Sequence, residues 1–259
     1  DGYSGGYKWL YPDQAQEKTH GDAIDYLDHV AAQWATPEVK VRSQVEIGDP
    51  AAVIIDVAAK QQFDLICMTT HGYSGFTRWM LGSVTERVLR AAPCPVMVVR
   101  EPQAIEHVLV TLDGSTLAER ALSPGLEVAR RLGARVTLLQ VATIVPIPQD
   151  SIYQLEMSDQ TVSDYLASST IDHAQLYLQS VAGRLQDSGL DVATDVVEGF
   201  AAQGILDYAA MNDVDLIVMA THGRTGLRRW AYGSVTEKVL HGGQFSLLVV
   251  RSTSEELKG

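Results

Sequence analysis

The chain is poor in cysteine, in positive charge and in long apolar runs, and each shortage narrows what it can be. Cys67 and Cys94 are the only cysteines among 259 residues and lack a Cys-x-x-Cys spacing, which favours buried free thiols and a reducing cytoplasm over a disulfide or metal site. Lys and Arg total 20 against 32 Asp and Glu, and the formal charge of −12 repels nucleic-acid phosphates and anionic lipid. Neither nucleic acid nor a membrane is therefore expected as a partner. Apolar stretches such as Val214 to Ala220 and Phe245 to Val250 fall far short of the roughly 20 residues that a spanning helix needs. The opening Asp1-Gly-Tyr-Ser-Gly-Gly-Tyr7 has neither the basic start nor the apolar run of a signal peptide. No Gly-x-x-x-x-Gly-Lys-Ser/Thr loop is present, and no His/Cys/carboxylate cluster suggests a metal, so no catalytic or metal-ligating residue is assigned.

What remains is an ordinary folded composition, 46% apolar and 20% charged. Its organising feature is a duplication. A shift of 151 residues lays Thr70-His71-Gly72 on Thr221-His222-Gly223, and Gly82-Ser-Val-Thr-Glu86 on Gly233-Ser-Val-Thr-Glu237. It also lays Val98-Val-Arg100 on Val249-Val-Arg251. Positions 43–100 match 194–251 at 27 of 58 places without a gap. The duplication divides the chain into a first domain (1–101), a linker (102–106), a second domain (107–252) and a tail (253–259).

In the second half, apolar strand-like runs at 108–112, 135–142, 192–197, 215–220 and 246–250 alternate with helical spacing at 115–132, 161–187, 201–211 and from 234. Five near-continuous Val/Ile/Leu strands separated by helices predict a doubly wound parallel α/β sheet covered on both faces. The partner of Val108 would lie about 43 positions before residue 1, so the first domain is expected to lack its N-terminal strand-helix-strand here. Residues upstream of Asp1 are therefore expected in the natural chain.

Each half runs a strand into His-Gly, then nine residues, then Gly-Ser opening a helix: His71-Gly72 to Gly82-Ser83, and His222-Gly223 to Gly233-Ser234. Glycines let backbone N–H groups approach a ligand, and a helix start adds unpaired N–H groups and a positive dipole end, which together make a phosphate cradle. Ser-x-x-Glu at both sites also fits a capping box, and Asp113-Gly-Ser115 fits a turn with a helix cap. A lone histidine before a glycine, such as His71 or His222, is more often structural than catalytic. Trp79 and Trp230 read more readily as packing than as anchors for a partner. The Pro-rich 143–163 stretch reads as a lid over the cleft or an exposed connection.

The stretches 219–240 and 109–122 resemble a universal stress protein domain, here in tandem and in the nucleotide-binding branch of the family. The resemblance implies a Rossmann-like fold of the adenine-nucleotide α-hydrolase type, in two tandem five-stranded domains. It implies Asp113 at the ribose, Thr111, Val141 and Met219 around adenine, and Ala220 facing the sugar. His222, Gly223, Gly233, Ser234 and Val235 would form the phosphate cradle. The first half offers Met68, Thr69, His71, Gly72, Gly82, Ser83 and Val84, without a match to Asp113. Thr69 and Ala220 stand where the family pattern has a glycine. The ligand implied is ATP, or ADP or AMP, with Mg²⁺ as a companion. The role implied is regulatory or sensing in the cytoplasm, with a slow ATPase or a nucleotide-free scaffold as alternatives. The last strands of the two halves are expected to pair as an internal pseudo-dimer, with homodimers of the chain beyond that.

Overall fold

A computed structural model describes residues 12–69, 81–100, 103–143, 162–221 and 233–251. By packing, the chain divides into two compact units, 1–49 and 50–259. In the first unit, helix α1 (Pro12–Trp34) precedes a segment at 39–47 without regular secondary structure. Ser43 Oγ donates to Asp28 within this unit.

The second unit is an α/β sheet. Its elements are α2 (Pro50–Gln61), β1 (Ile66–Thr69), α3 (Ser83–Ala91), β2 (Val96–Val99), β3 (His107–Leu112), α4 (Leu122–Leu132) and β4 (Arg135–Ala142), followed by α5 (Val162–Gly183), β5 (Val192–Glu198), α6 (Ala201–Met211), β6 (Leu216–Thr221), α7 (Ser234–Gly242) and β7 (Ser246–Arg251). The helix expected at 115–132 divides into a 3-10 turn at Ala118–Ala121 and α4. Gly133, at φ +68°, then closes α4 in the left-handed conformation that glycine adopts most cheaply.

Seven strands run in the order β1-β2-β7-β6-β3-β4-β5. All neighbours are parallel except β2 and β7, which pair antiparallel with Met97 opposite Leu248. The final strands of the two halves thus join, as the family resemblance implies, and the two expected sheets become one. Side chains alternate across it. Leu109, Ile217, Leu247 and Val249 face one apolar cluster under α2, α3, α6 and α7, while Val108, Val110, Leu216 and Leu248 face another under α4 and α5.

The repeat shows what a neighbouring strand does to burial. Leu216 and Val214 are 0% and 3% exposed, whereas Leu65 and Phe63, 151 positions earlier, are 37% and 49% exposed. β6 has β3 along its edge, and Val218 packs on α4 at Gly125; β1 has no such neighbour among the described residues. The same geometry corrects the cysteines. They are free thiols, and among the described residues neither is buried: Cys67 lies exposed on β1 and Cys94 is partly exposed, and what burial they have raises both pKa values.

A buried polar cluster lies at the opposite end of the strands from Asp113. The His107 ring, 1% exposed, has Nδ1 at 2.9 Å from the Asn212 carbonyl and Nε2 at 2.9 Å from Thr137 Oγ1. Loss of hydration lowers its pKa. Asp215 accepts the backbone N–H groups of Glu106 and His107, tying the linker to the sheet.

Candidate functional site: a cleft at the switch point

The strand order reverses between β3 and β6, where β3 continues towards β4 and β6 towards β7. The carboxyl ends of these strands, with the start of α7, enclose a cleft lined by Thr111, Asp113, Val141, Met219, Ala220, Gly233, Ser234 and Val235. All the described second-half residues singled out in the sequence are thus brought together. His222 and Gly223 lie outside the described residues, as do His71, Gly72, Trp79, Trp230 and most of the 143–163 stretch.

The end of the cleft expected to cradle phosphate is built by α7. Its N-cap is Gly233, at φ −54° and ψ 148°, with no side-chain cap hydrogen bond. The expected capping box is therefore absent, because glycine occupies the cap position and Ser234 is the first helical residue. The first half repeats this with Gly82 as N-cap and Ser83 following. Glu237 N–H bonds the Gly233 carbonyl at 3.0 Å, closing the first turn. Among the described residues, no acceptor meets the backbone N–H groups of Ser234, Val235 and Thr236. Among the described residues, a Cβ added to Gly233 would meet nothing within 4 Å, and its φ is open to any residue. Neither packing against the described residues nor backbone conformation requires glycine there.

Asp113 unites the turn reading with the site reading. Its Oδ1 accepts Ser115 N–H at 2.9 Å and Ser115 Oγ–H at 2.6 Å, while Ser115 Oγ accepts Ala118 N–H at 3.1 Å. This turn orients the carboxylate, and Oδ2 has no hydrogen-bond partner among the described residues. Beside it, Tyr177 donates to Glu119 Oε1 at 3.2 Å, and Arg184 holds the other oxygen at 2.7 Å. Desolvation first, then the Glu119 charge, raises the Tyr177 pKa.

The opposite wall is apolar. Thr111 lines it, but its hydroxyl donates to the Val218 carbonyl at 3.3 Å and presents no free donor. Ala201 and Ile205 of α6 complete the wall; their four-residue spacing on one helix face was the available signal for them. Gly204 lets α6 approach, since a Cβ there would stand 3.0 Å from Val141 Cγ1. Thr221, 2% exposed, was missed: its Oγ1 accepts Gly233 N–H at 3.2 Å and locks the end of β6 to the cradle. Its duplication as Thr70 was the signal that could have found it.

In the first half, Thr85 Oγ donates to the Thr69 carbonyl at 3.1 Å, bringing Met68 and Thr69 of β1 to Gly82, Ser83 and Val84 at the start of α3. Among the described residues, no strand end there supplies a counterpart of Asp113.

Fold and cleft define a duplicated doubly wound α/β protein with an anion-suited helix start at its switch point. The family model "Universal stress protein family" matches residues 2–100 and again 104–251, so the chain belongs to the universal stress protein family in tandem form. A universal stress protein of Methanocaldococcus jannaschii is 28% identical over 154 residues, covering 58% of this chain and 85% of the relative. One from Mycobacterium tuberculosis is 26% identical over 230 residues, covering 86% and 72%. The crystal structure of a universal stress protein from Archaeoglobus fulgidus superposes with a TM-score of 0.69 at 22% identity, covering 95% of this chain and 84% of that one.

Proposed function

We propose that the second-half cleft binds an adenine nucleotide, ATP or its ADP and AMP relatives, and that the chain is a cytoplasmic regulatory or sensing module. The observation that carries this is Gly233, a glycine that neither φ nor packing against the described residues requires, at the start of a helix whose first residues line a cleft together with Asp113. Val141, Met219, Ala201 and Ile205 offer an apolar wall for the base. Asp113 Oδ2 accepts a ribose hydroxyl. The N–H groups of Ser234 and Val235, with the positive helix end, take phosphate oxygens despite the net negative charge, because the contact is local.

Binding and orientation are all that these residues supply. Among the described residues, no group of three or more His, Cys, Asp or Glu side chains is placed to hold a metal, so Mg²⁺ would enter as the companion of the phosphates. The chain is purified without added nucleotide and denatured, and the released small molecules are identified by chromatography and mass. About one equivalent of adenine nucleotide per chain is expected. Nothing released, together with no binding of added ATP with Mg²⁺, overturns the proposal.

A further inference from the structure

The two halves meet along β2 and β7, and also through a crossed pair of arginines that end those strands. Arg100 and Arg251 stand 151 positions apart in the repeat. Arg100 Nη2 donates to the Leu240 carbonyl in the last turn of α7. Arg251 Nη1 donates at 2.8 Å to the carbonyl of Ala92, the C-cap of α3. Each half thereby supplies a cation to the C-terminal end of the other half's last helix, where unpaired carbonyls carry the negative end of the dipole.

For α7 this contact matters more than usual. Its C-cap, Gly243, has φ −129° and does not make the left-handed closure that satisfies carbonyls elsewhere. Gly242 and Gly243 lie against Leu206, where an added Cβ would meet its methyl groups at 2.9 and 2.6 Å, and as glycines they bring no side chain to cap the helix. Arg100 is correspondingly committed: its Nε and Nη1 are buried without a hydrogen-bond partner among the described residues, and burial lowers its pKa. Its backbone N–H donates to Ser246 Oγ at 3.3 Å, fixing it against the start of β7. A guanidinium serving only solubility would keep its head in water.

The other end of α7, about 13 Å away along a nine-residue helix, is the cradle at Gly233 to Thr236. We propose that Arg100 is a positioning residue for the second-half cleft: by holding the C-terminal end of α7 it sets the aim of the Ser234 and Val235 N–H groups at the phosphates. The site in the second half is completed by a residue of the first. This rests on the adenine-nucleotide reading above.

The test uses the full chain as wild type, Arg100→Gln and Arg100→Lys. Amide hydrogen exchange of 234–242 is measured without ligand, and affinities are measured for ATP and for adenosine. Arg100→Gln is expected to speed exchange in α7 several-fold while β3, β4 and β5 stay protected, which also checks folding. Affinity for ATP falls about five- to tenfold and for adenosine less than about twofold, because the helix start faces the phosphates. Arg100→Lys, which keeps the charge without the planar fork, restores part of both effects. It also carries the test with a smaller shift of the same sign should Arg100→Gln not fold. Unaltered exchange in α7, or equal losses for ATP and adenosine, overturns the proposal. If the wild-type chain binds no nucleotide, the functional reading fails, and exchange in α7 alone upholds or overturns Arg100 as the clamp of that helix.

Discussion

Substituting Gly233 by alanine separates a structural glycine from one kept for a ligand. The new methyl group meets nothing within 4 Å among the described residues, and φ of −54° is open to alanine. Two small terms then act on stability. Alanine is the poorer N-cap, at a cost of about 0.5–1 kcal/mol, and it restricts the unfolded chain, a gain of about 0.4–1 kcal/mol. The terms nearly cancel, so the melting temperature should move by less than about 2 °C for a chain of this size. Binding has no such compensation. The methyl group stands where a phosphate must come within hydrogen-bond distance of the Ser234 and Val235 N–H groups, and charge-assisted bonds of this kind contribute about 1.5–3 kcal/mol each. Weakening one of them lowers ATP affinity roughly 10- to 100-fold. Thermal unfolding and isothermal titration on the same preparation check both halves of the expectation. Unchanged affinity, or a melting temperature lowered by more than about 6 °C, refutes the reasoning.

Three further outcomes are expected. Gly204→Ala puts a methyl group 3.0 Å from Val141; overpacking of about 1–3 kcal/mol exceeds a helix-propensity gain of about 1 kcal/mol, so denaturant titration shows a modest loss and affinity for adenosine falls along with that for ATP. Leu240→Ala, at a fully buried position under the sheet, costs about 2–5 kcal/mol in equilibrium unfolding. His107 has a folded-state pKa below its unfolded value of about 6.5, so its contribution is complete above that value and is lost as pH falls from there towards the folded-state pKa. The slope is at most about 1.4 kcal/mol per pH unit; His107→Asn, compared with wild type by denaturation at pH 5, 6 and 7.5, should flatten it, and identical slopes would refute the assignment.

Much of the fold can be read from the chain alone, because helices and buried strands are written in local periodicity. The strand expected at 135–142 is β4, and the helix expected at 201–211 is α6. The duplication points to the cradle, since Gly233 and Ser234 recur at the same spacing as Gly82 and Ser83. Local pattern stops where partners must be chosen. A short Val-Val-Arg strand end does not by itself encode which strand lies beside it, and the antiparallel register of Met97 opposite Leu248 is seen only in the sheet. Ser-x-x-Glu is compatible with a capping box, and only the backbone at Gly82 and Gly233 showed glycine taking the cap. Thr221 to Gly233, and Arg100 to the end of α7, are bonds between segments 12 and 140 residues apart. Such contacts exist only once the sheet has set those segments side by side. Composition, repeat and element type belong to the sequence, while strand register and the links across the seam belong to the tertiary structure, because a residue's pattern specifies its own conformation and burial but not its distant neighbour.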